Sequence, residues 1–248
     1  MIESIFNAGL SSVFYFGFHI LGYLAVLFFN IWYGKKYNIK PWKAVVTTII
    51  VYAITYVWIY IQFWIESGFK NFGGNNIVRG FIYIPLIALP VARALKISWK
   101  RMCDFIAPCV CVSHGISHIG CIFEGCCKGF PSSLGIYNPW DKITLFPIQL
   151  FESITALLIV VVIVCQAKRK NFVSDGKSFP VMLIAFGGTR FLFEFARNNE
   201  KILLGCSSLA FHALFMVLIG VAVLLYIKLR PEKKNDEPFQ CRRGCSNG

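Results

Sequence analysis

The sequence predicts an all-α polytopic membrane protein with about seven transmembrane helices. Two observations support this fold class. The chain has 248 residues, of which 56% are hydrophobic and 15% are charged, whereas soluble domains carry about 25% charged residues. The charged residues are also unevenly placed, because long apolar runs alternate with short basic clusters, a pattern typical of chains that cross a bilayer several times.

Seven apolar stretches are each long enough for a span of about 20 residues. The third contains Pro85 and Pro90, so we expect that helix to be kinked or broken. The sixth is short and ends in charged residues. In chain order, the predicted spans are 11–33, 43–65, 77–95, 102–123, 145–166, 179–196 and 205–228. We therefore expect a seven-span domain over 1–228 and a polar, disordered cytoplasmic tail over 229–248.

The basic residues predict how these spans are oriented. The segments after the first, third and fifth spans, together with the C-terminal tail, hold 18 of the 25 Lys and Arg residues. Because cytoplasmic loops are enriched in Lys and Arg, this side is expected to be cytoplasmic. The N-terminus is then outside and the C-terminus inside, as an odd number of spans requires.

The net charge of +13 is accounted for by this bias, so no nucleic-acid partner is expected. Basic residues at the cytoplasmic surface also favour anionic membrane lipids as partners. The opening "MIESIF" has no basic region of the kind that starts a signal peptide. We therefore expect no cleaved signal peptide, and we expect the first span itself to direct insertion.

The stretch "HGISHIGCIFEGCCKG", residues 114–129, is the first of three polar motifs. On a helix, His114, His118 and Cys121 share one face, and the glycines that follow indicate a helix end. His and Cys at this spacing suit zinc, but no flanking C-x-x-C pair supplies the remaining ligands. We therefore predict no metal and no cofactor, with the cysteines packing as small apolar residues and His118 carrying the function.

The second motif is "FPIQLFES", residues 146–153. Pro147 suits the first turn of a helix, which places Gln149 and Glu152 near its outer end. A carboxylate in the first turn also complements the helix dipole. That purely structural role is an alternative for Glu152 but does not explain Gln149.

The third motif is "GTRFLFEFARNNEK", residues 188–201. Arg190, Glu194 and Arg197 are spaced i, i+4, i+7 and so share a helix face. Arg190 and Glu194 either form an ordinary ion pair within the helix or present a guanidinium that grips a phosphate in bidentate fashion. Together with Arg79, these residues predict a membrane cavity that opens near the outer leaflet and takes an anionic phospholipid headgroup.

The segments "HIGCIFEGCCKG", "FPIQLFE" and "RFLFEFAR" resemble, in order and spacing, three motifs of the prolipoprotein diacylglyceryl transferase family. The resemblance covers about residues 115–197. It implies a bacterial inner-membrane enzyme with seven spans, its N-terminus outside and its active site facing the outer leaflet. Such an enzyme moves the diacylglyceryl group of phosphatidylglycerol to the lipobox cysteine thiol of a prolipoprotein signal peptide and releases glycerol phosphate.

The chain departs from the family pattern at several motif positions. His118 stands where the family has a headgroup-binding arginine, and Cys121 stands where many members have asparagine. The other differences are Phe146 for a histidine, Phe151 for a tyrosine, Phe16-Gly17 for Tyr-Gly, and Val78-Arg79-Gly80 for the His-Gly-Gly of the proposed base region. Arg79 is therefore expected to supply a cation, and His118 or His114 to supply the base.

The resemblance implies a role for each matched residue. Catalysis is assigned to His118, Arg190 and Glu194. Substrate binding is assigned to His118, Arg79, Gly120, Cys121, Gly125, Gly129, Gln149, Glu152, Arg197 and Tyr15. Two alternatives stay open, namely a metal- or thiol-dependent membrane oxidoreductase and a non-catalytic lipid-binding relative.

Overall fold

The computed structural model describes residues 8–70, 80–197 and 206–229. These ranges contain seven α-helices of eleven residues or more. In chain order, they are α1 (Ala8–Lys36), α2 (Pro41–Glu66), α3 (Ile84–Ala94), α4 (Trp99–Glu124), α5 (Ile148–Arg169), α6 (Ser178–Glu194) and α7 (Ser208–Leu229). The predicted tail and the predicted cation Arg79 lie outside the described residues.

Five of these helices, α1, α2, α4, α5 and α7, are long and apolar enough to cross a membrane. The helical prediction is therefore confirmed, and the fold is consistent with a polytopic membrane protein. Of the two remaining helices, α3 has 11 residues and α6 has 17. Pro85 lies in the first turn of α3 and Pro90 lies inside it, as expected for an interrupted third span. The count of seven spans and the orientation remain predictions.

Helix α4 forms the centre of the bundle. In its most apolar window 78% of the residues are buried, against 11% for α1 and 22% for α7. Small residues on α4 let neighbouring helices approach closely. A Cβ built at Gly120 would lie 3.0 Å from the carbonyl oxygen of Tyr15 on α1, and one at Gly115 would lie 2.9 Å from Leu157 on α5. This central helix carries the histidines of the first motif.

A small antiparallel hairpin separates α4 from α5, which the all-α prediction did not anticipate. Its strands are β1 (Pro131–Asn138) and β2 (Ile143–Leu145). The side-chain oxygen of Asn138 accepts hydrogen bonds from the backbone N–H groups of Trp140 and Asp141, which closes the turn. The hairpin delivers the chain to Pro147, immediately before α5.

Backbone pairing joins the segment after α4 to the segment after α6. Gly129 forms an antiparallel bridge with Arg197, and the N–H of Phe130 donates to the carbonyl of Ala196 at 3.1 Å. A Cβ at Gly129 would collide with the carbonyl oxygen of Phe146, so only glycine fits there. The ends of the first and third motifs are thereby fixed against each other.

Candidate functional site

Glu152 lies at the centre of the polar cluster and joins all three motifs. It is 3% exposed and contacts three basic side chains. Its Oε1 accepts a hydrogen bond from Arg190 Nη1 at 2.9 Å, and its Oε2 accepts one from Arg197 Nη2 at 2.5 Å. Oε2 also lies 2.7 Å from His118 Nε2. These three basic partners go beyond the purely structural role in which the carboxylate only complements the dipole of its own helix.

Arg190 is shared between two carboxylates. Its Nη1 lies 2.9 Å from Glu152 Oε1 and 2.7 Å from Glu194 Oε2. Arg190 therefore forms the ion pair with Glu194 within α6 and also a second ion pair with Glu152 on α5. Both of these contacts involve Nη1 of Arg190. Ser207, just before α7, donates to Glu194 Oε1 at 2.5 Å and holds this second carboxylate in place.

Arg197 closes the cluster from the loop after α6. Its Nε donates to Glu152 Oε1 at 3.2 Å, which makes the contact bidentate. Burial alone would lower the pKa of Arg197, but the adjacent Glu152 carboxylate outweighs burial and raises that pKa. The cluster thus pairs two guanidinium groups with two glutamate side chains.

The hydrogen bonds of His118 favour one tautomer. Its Nε2 lies 2.7 Å from Glu152 Oε2 and 3.2 Å from Arg197 Nη2. An unprotonated Nε2 would accept from Arg197 at 3.2 Å but would face the carboxylate with a lone pair at 2.7 Å, whereas an N–H at Nε2 would donate to the carboxylate across the shorter distance. We therefore place the proton on Nε2. The lone pair of the neutral ring is then on Nδ1, which lies 3.7 Å from Cys121 Sγ.

His114, the other candidate base, lies one turn deeper in α4 and is 4% exposed. Its ring stacks on that of His118 with centroids 4.7 Å apart. The rings of Phe81 and Phe186 contact it edge-on. Among the described residues its Nε2 has no hydrogen-bond partner. A ring nitrogen of His114 lies within 4.8 Å of ligand atoms of His118 and Glu152, so His114 borders the charged cluster, but the 2.7 Å contact with Glu152 is made by His118.

The loop after α4 is held by the second motif. Gly125 ends the helix in the left-handed region with φ 67°, and a Cβ there would collide with Trp140. Gln149 Nε2 donates to the carbonyl oxygen of Cys126 at 2.8 Å. The amide predicted to bind substrate therefore fixes the backbone of the cysteine loop.

The structure thus brings together His118, Glu152, Arg190, Glu194 and Arg197, with Cys121, Gly125, Gly129 and Gln149 at the edge of the cluster. Tyr15 is half-buried on α1 and packs through its backbone on Gly120. Sequence reasoning missed Ser207, whose only signal was its position at the start of the last span.

A cleft between α5 and α6 reaches the two central charges from the side. Its lining includes Glu152, Thr155, Thr189 and Arg190. Hydroxyl and guanidinium groups therefore face the same space.

Comparisons with known proteins agree with the motifs. The family model of prolipoprotein diacylglyceryl transferase matches residues 4–226. A phosphatidylglycerol–prolipoprotein diacylglyceryl transferase 2 of Clostridium perfringens is 27% identical over 179 residues, which cover 68% of this chain and 69% of that protein. A relative of the same enzyme name from Clostridium tetani is 27% identical, covering 66% and 68%. One from Cupriavidus pinatubonensis is 29% identical, covering 66% and 62%.

Proposed function

The chain belongs to the prolipoprotein diacylglyceryl transferase family, and we propose that it transfers the diacylglyceryl group of phosphatidylglycerol to a prolipoprotein thiol. The acceptor is the lipobox cysteine at the end of a signal peptide, and glycerol phosphate is released. The observation that carries this proposal is the cluster around Glu152. It joins side chains from three separate motifs into one buried site with two arginines and one histidine.

The phosphate of the lipid headgroup is assigned to Arg190. This guanidinium lines the cleft between α5 and α6 and is oriented by carboxylates on both helices. A planar fork held in this way matches two phosphate oxygens, which an ammonium group cannot do. As the carbon–oxygen bond to the phosphate breaks, the same guanidinium stabilises the charge that develops on the leaving glycerol phosphate.

Activation of the acceptor thiol is assigned to His118. Glu152 holds its Nε2–H, so Nδ1 accepts the thiol proton. The thiolate sulfur then attacks the glyceryl carbon that bears the phosphate ester. A carbon–sulfur bond forms, the carbon–oxygen bond breaks, and its electron pair leaves with the phosphate oxygen. No cysteine of this chain takes part, because the nucleophile belongs to the substrate.

The location of the site follows from the predicted topology. The cluster lies where α4 ends, α5 begins and α6 ends, whereas α1 and α5 end at the opposite face with basic residues in their last turns. The positive-inside rule puts that basic face in the cytoplasm. The site then faces the outer leaflet of a bacterial plasma membrane, where translocated precursors present their cysteines.

Complementation of a bacterium depleted of its own transferase tests the function. Growth and lipoprotein modification should be restored by the wild type and by Lys142→Ala, an exposed hairpin position. They should not be restored by His118→Ala. Purified protein should also move labelled diacylglycerol from phosphatidylglycerol to a lipobox peptide. Lipid that co-purifies with a protein unable to perform this transfer would overturn the proposal in favour of a non-catalytic lipid-binding relative.

A further inference from the structure

Three potential metal-ligand side chains converge where α4 ends. His118, Cys121 and Cys127 each place one ligand atom within 4.8 Å of the other two. The separation between His118 Nδ1 and Cys121 Sγ is 3.7 Å. In a tetrahedral zinc site, bonds of about 2.3 Å to sulfur and about 2.0 Å to nitrogen put neighbouring ligand atoms about 3.6–3.8 Å apart. Only small shifts would let these three atoms share one ion.

The histidine already has the orientation of a metal ligand. Its Nε2 is 2.7 Å from Glu152 Oε2, while Nδ1 lies 3.7 Å from Cys121 Sγ. Histidines that bind metal usually donate their other ring N–H to a carboxylate, which fixes the ring and makes the free nitrogen a better donor of electrons. The same contact that prepares His118 as a base therefore prepares it to bind an ion.

The cysteine loop is also fixed in advance. Gly125 and Cys127 both adopt left-handed backbone conformations, with φ of 67° and 56°, and these reverse the chain so that Cys127 returns toward the helix. Gln149 holds the carbonyl of Cys126 at 2.8 Å. Cys126 Sγ lies 3.8 Å from the carbonyl oxygen of Cys121; this thiol is outside the group of three ligand atoms, so it would have to shift to join them.

We propose that His118, Cys121 and Cys127 form a binding site for a thiophilic cation such as Zn²⁺, with Cys126 as the fourth ligand. Thiolates and imidazole select zinc over magnesium or calcium, which prefer oxygen ligands. The consequence for activity rests on the proposed function. An ion on Nδ1 occupies the lone pair that takes the thiol proton, so zinc inhibits the transferase and is not its cofactor.

Cobalt reports binding without reference to activity. The full chain would carry Cys241→Ser and Cys245→Ser, which removes the tail thiols, and would be purified in detergent with a non-thiol reductant. Added Co²⁺ should produce a sulfur-to-cobalt charge-transfer band that one equivalent of Zn²⁺ abolishes. Cys121→Ser and Cys127→Ser should each weaken binding by at least about tenfold. Cys165→Ser, at an exposed position on α5, is the matched control and should bind like the parent.

Alkylation of the parent protein, in which Cys121 and Cys127 are intact, gives a second measurement that does not depend on whether a variant folds. Zn²⁺ should protect the half-buried Cys127 from iodoacetamide and should leave the exposed Cys165 reactive. The absence of a thiolate band, or equal reactivity with and without zinc, would overturn the site.

The inhibition is measured separately, as the ratio of transfer rates with and without Zn²⁺. This ratio should fall well below one in the parent protein and return toward one in Cys127→Ser. A clear cobalt band in a protein that transfers no lipid would leave the site standing and refute the proposed function. A cobalt band with no effect of zinc on the rate would refute the inhibition.

Discussion

Two buried carboxylates lie at opposite ends of the helix bundle, and their partners differ in kind. Asp104, near the start of α4, is 1% exposed and accepts hydrogen bonds from three backbone N–H groups. Asp175 and Gly176 donate to its Oδ2 at 2.9 and 2.8 Å, and Ser178 donates to its Oδ1 at 2.9 Å. Glu152, at the other end, is surrounded by two guanidinium groups and an imidazole.

The difference shows which buried charge is available for chemistry. Backbone amides cannot titrate or turn toward a ligand, so Asp104 serves to tie the loop before α6 to α4. The partners of Glu152 are side chains that exchange protons or accept a phosphate. Burial of a carboxylate is common to both ends, and the chemistry of the partners separates the structural end from the functional one.

The largest effect is expected from Glu152→Gln. The amide keeps the shape of the side chain but removes the charge shared by Arg190 and Arg197, and it no longer orients His118. Transfer should fall by about 10²- to 10³-fold, as is typical when a preorganised charge is removed from a site. The measurement is the transfer of labelled diacylglycerol to a lipobox peptide, expressed per folded protein. Asp104→Asn is the matched control and should transfer at the wild-type rate. If both variants lost transfer activity equally, the functional difference between the two ends of the bundle would be contradicted.

His118→Ala comes next. It removes the proposed base but leaves both arginines paired with Glu152, so transfer should fall by about 10²-fold or more while phosphatidylglycerol still binds. His118→Arg introduces the residue that the family pattern has at this position and should also retain bound lipid, measured by native mass spectrometry. Full transfer activity in His118→Ala would show that another group acts as the base, and His114 would be the first candidate.

Sequence patterns predicted the members of this site better than their connections. His118, Glu152 and Arg190 were recognisable because polar groups inside apolar spans are uncommon and usually functional. The central position of Glu152 was not predictable, because its partners Arg190 and Arg197 lie 38 and 45 positions further along the chain. Nothing local showed that Gln149 would donate to a carbonyl of the cysteine loop.

The structural end was missed for a related reason. Asp104 has partners more than 70 residues away, and these are backbone groups, which no residue type in the sequence reveals. The hairpin was also missed, because one of its strands has only three residues and pairs through the backbone. Helices were predictable because hydropathy and proline placement act locally, as the short helix α3 with its two prolines shows.

Arg190→Lys should have a smaller effect than either change above. Lysine keeps the positive charge beside Glu152 and Glu194 but loses the planar fork, so we expect roughly a tenfold loss in transfer. The loss should appear mainly as weaker saturation by phosphatidylglycerol. Lys142→Ala removes a cation from the exposed hairpin turn and serves as the control. A silent Arg190→Lys together with an impaired Lys142→Ala would mean that the headgroup binds elsewhere.

Asp104→Asn should affect stability and not chemistry. The amide retains one acceptor oxygen, so at least one of the three backbone donors from the loop loses its partner. We expect a loss of about 1–3 kcal/mol in the free energy of unfolding, measured by denaturant unfolding in detergent. A variant as stable as the wild type would show that the loop holds its place without this carboxylate.

Asp175→Asn should have the smallest effect. Asp175 lies in the same loop, 2.7 Å from Lys170, with its side chain 25% exposed. Burial alone would raise its pKa, but the hydrogen bond from Lys170 and the charges of Lys170 and Lys177 outweigh burial and hold that pKa below its usual value.

A carboxyl group whose pKa is lowered in the folded state stabilises the fold at pH values above its unfolded pKa of about 3.9, and this contribution is lost as the pH falls through the folded pKa. At neutral pH the wild type should therefore exceed the variant by less than about 1 kcal/mol, and this advantage should shrink below about pH 4. Unfolding curves of the two proteins at neutral and acidic pH give the answer, and an advantage that grew on acidification would contradict the assignment of this ion pair.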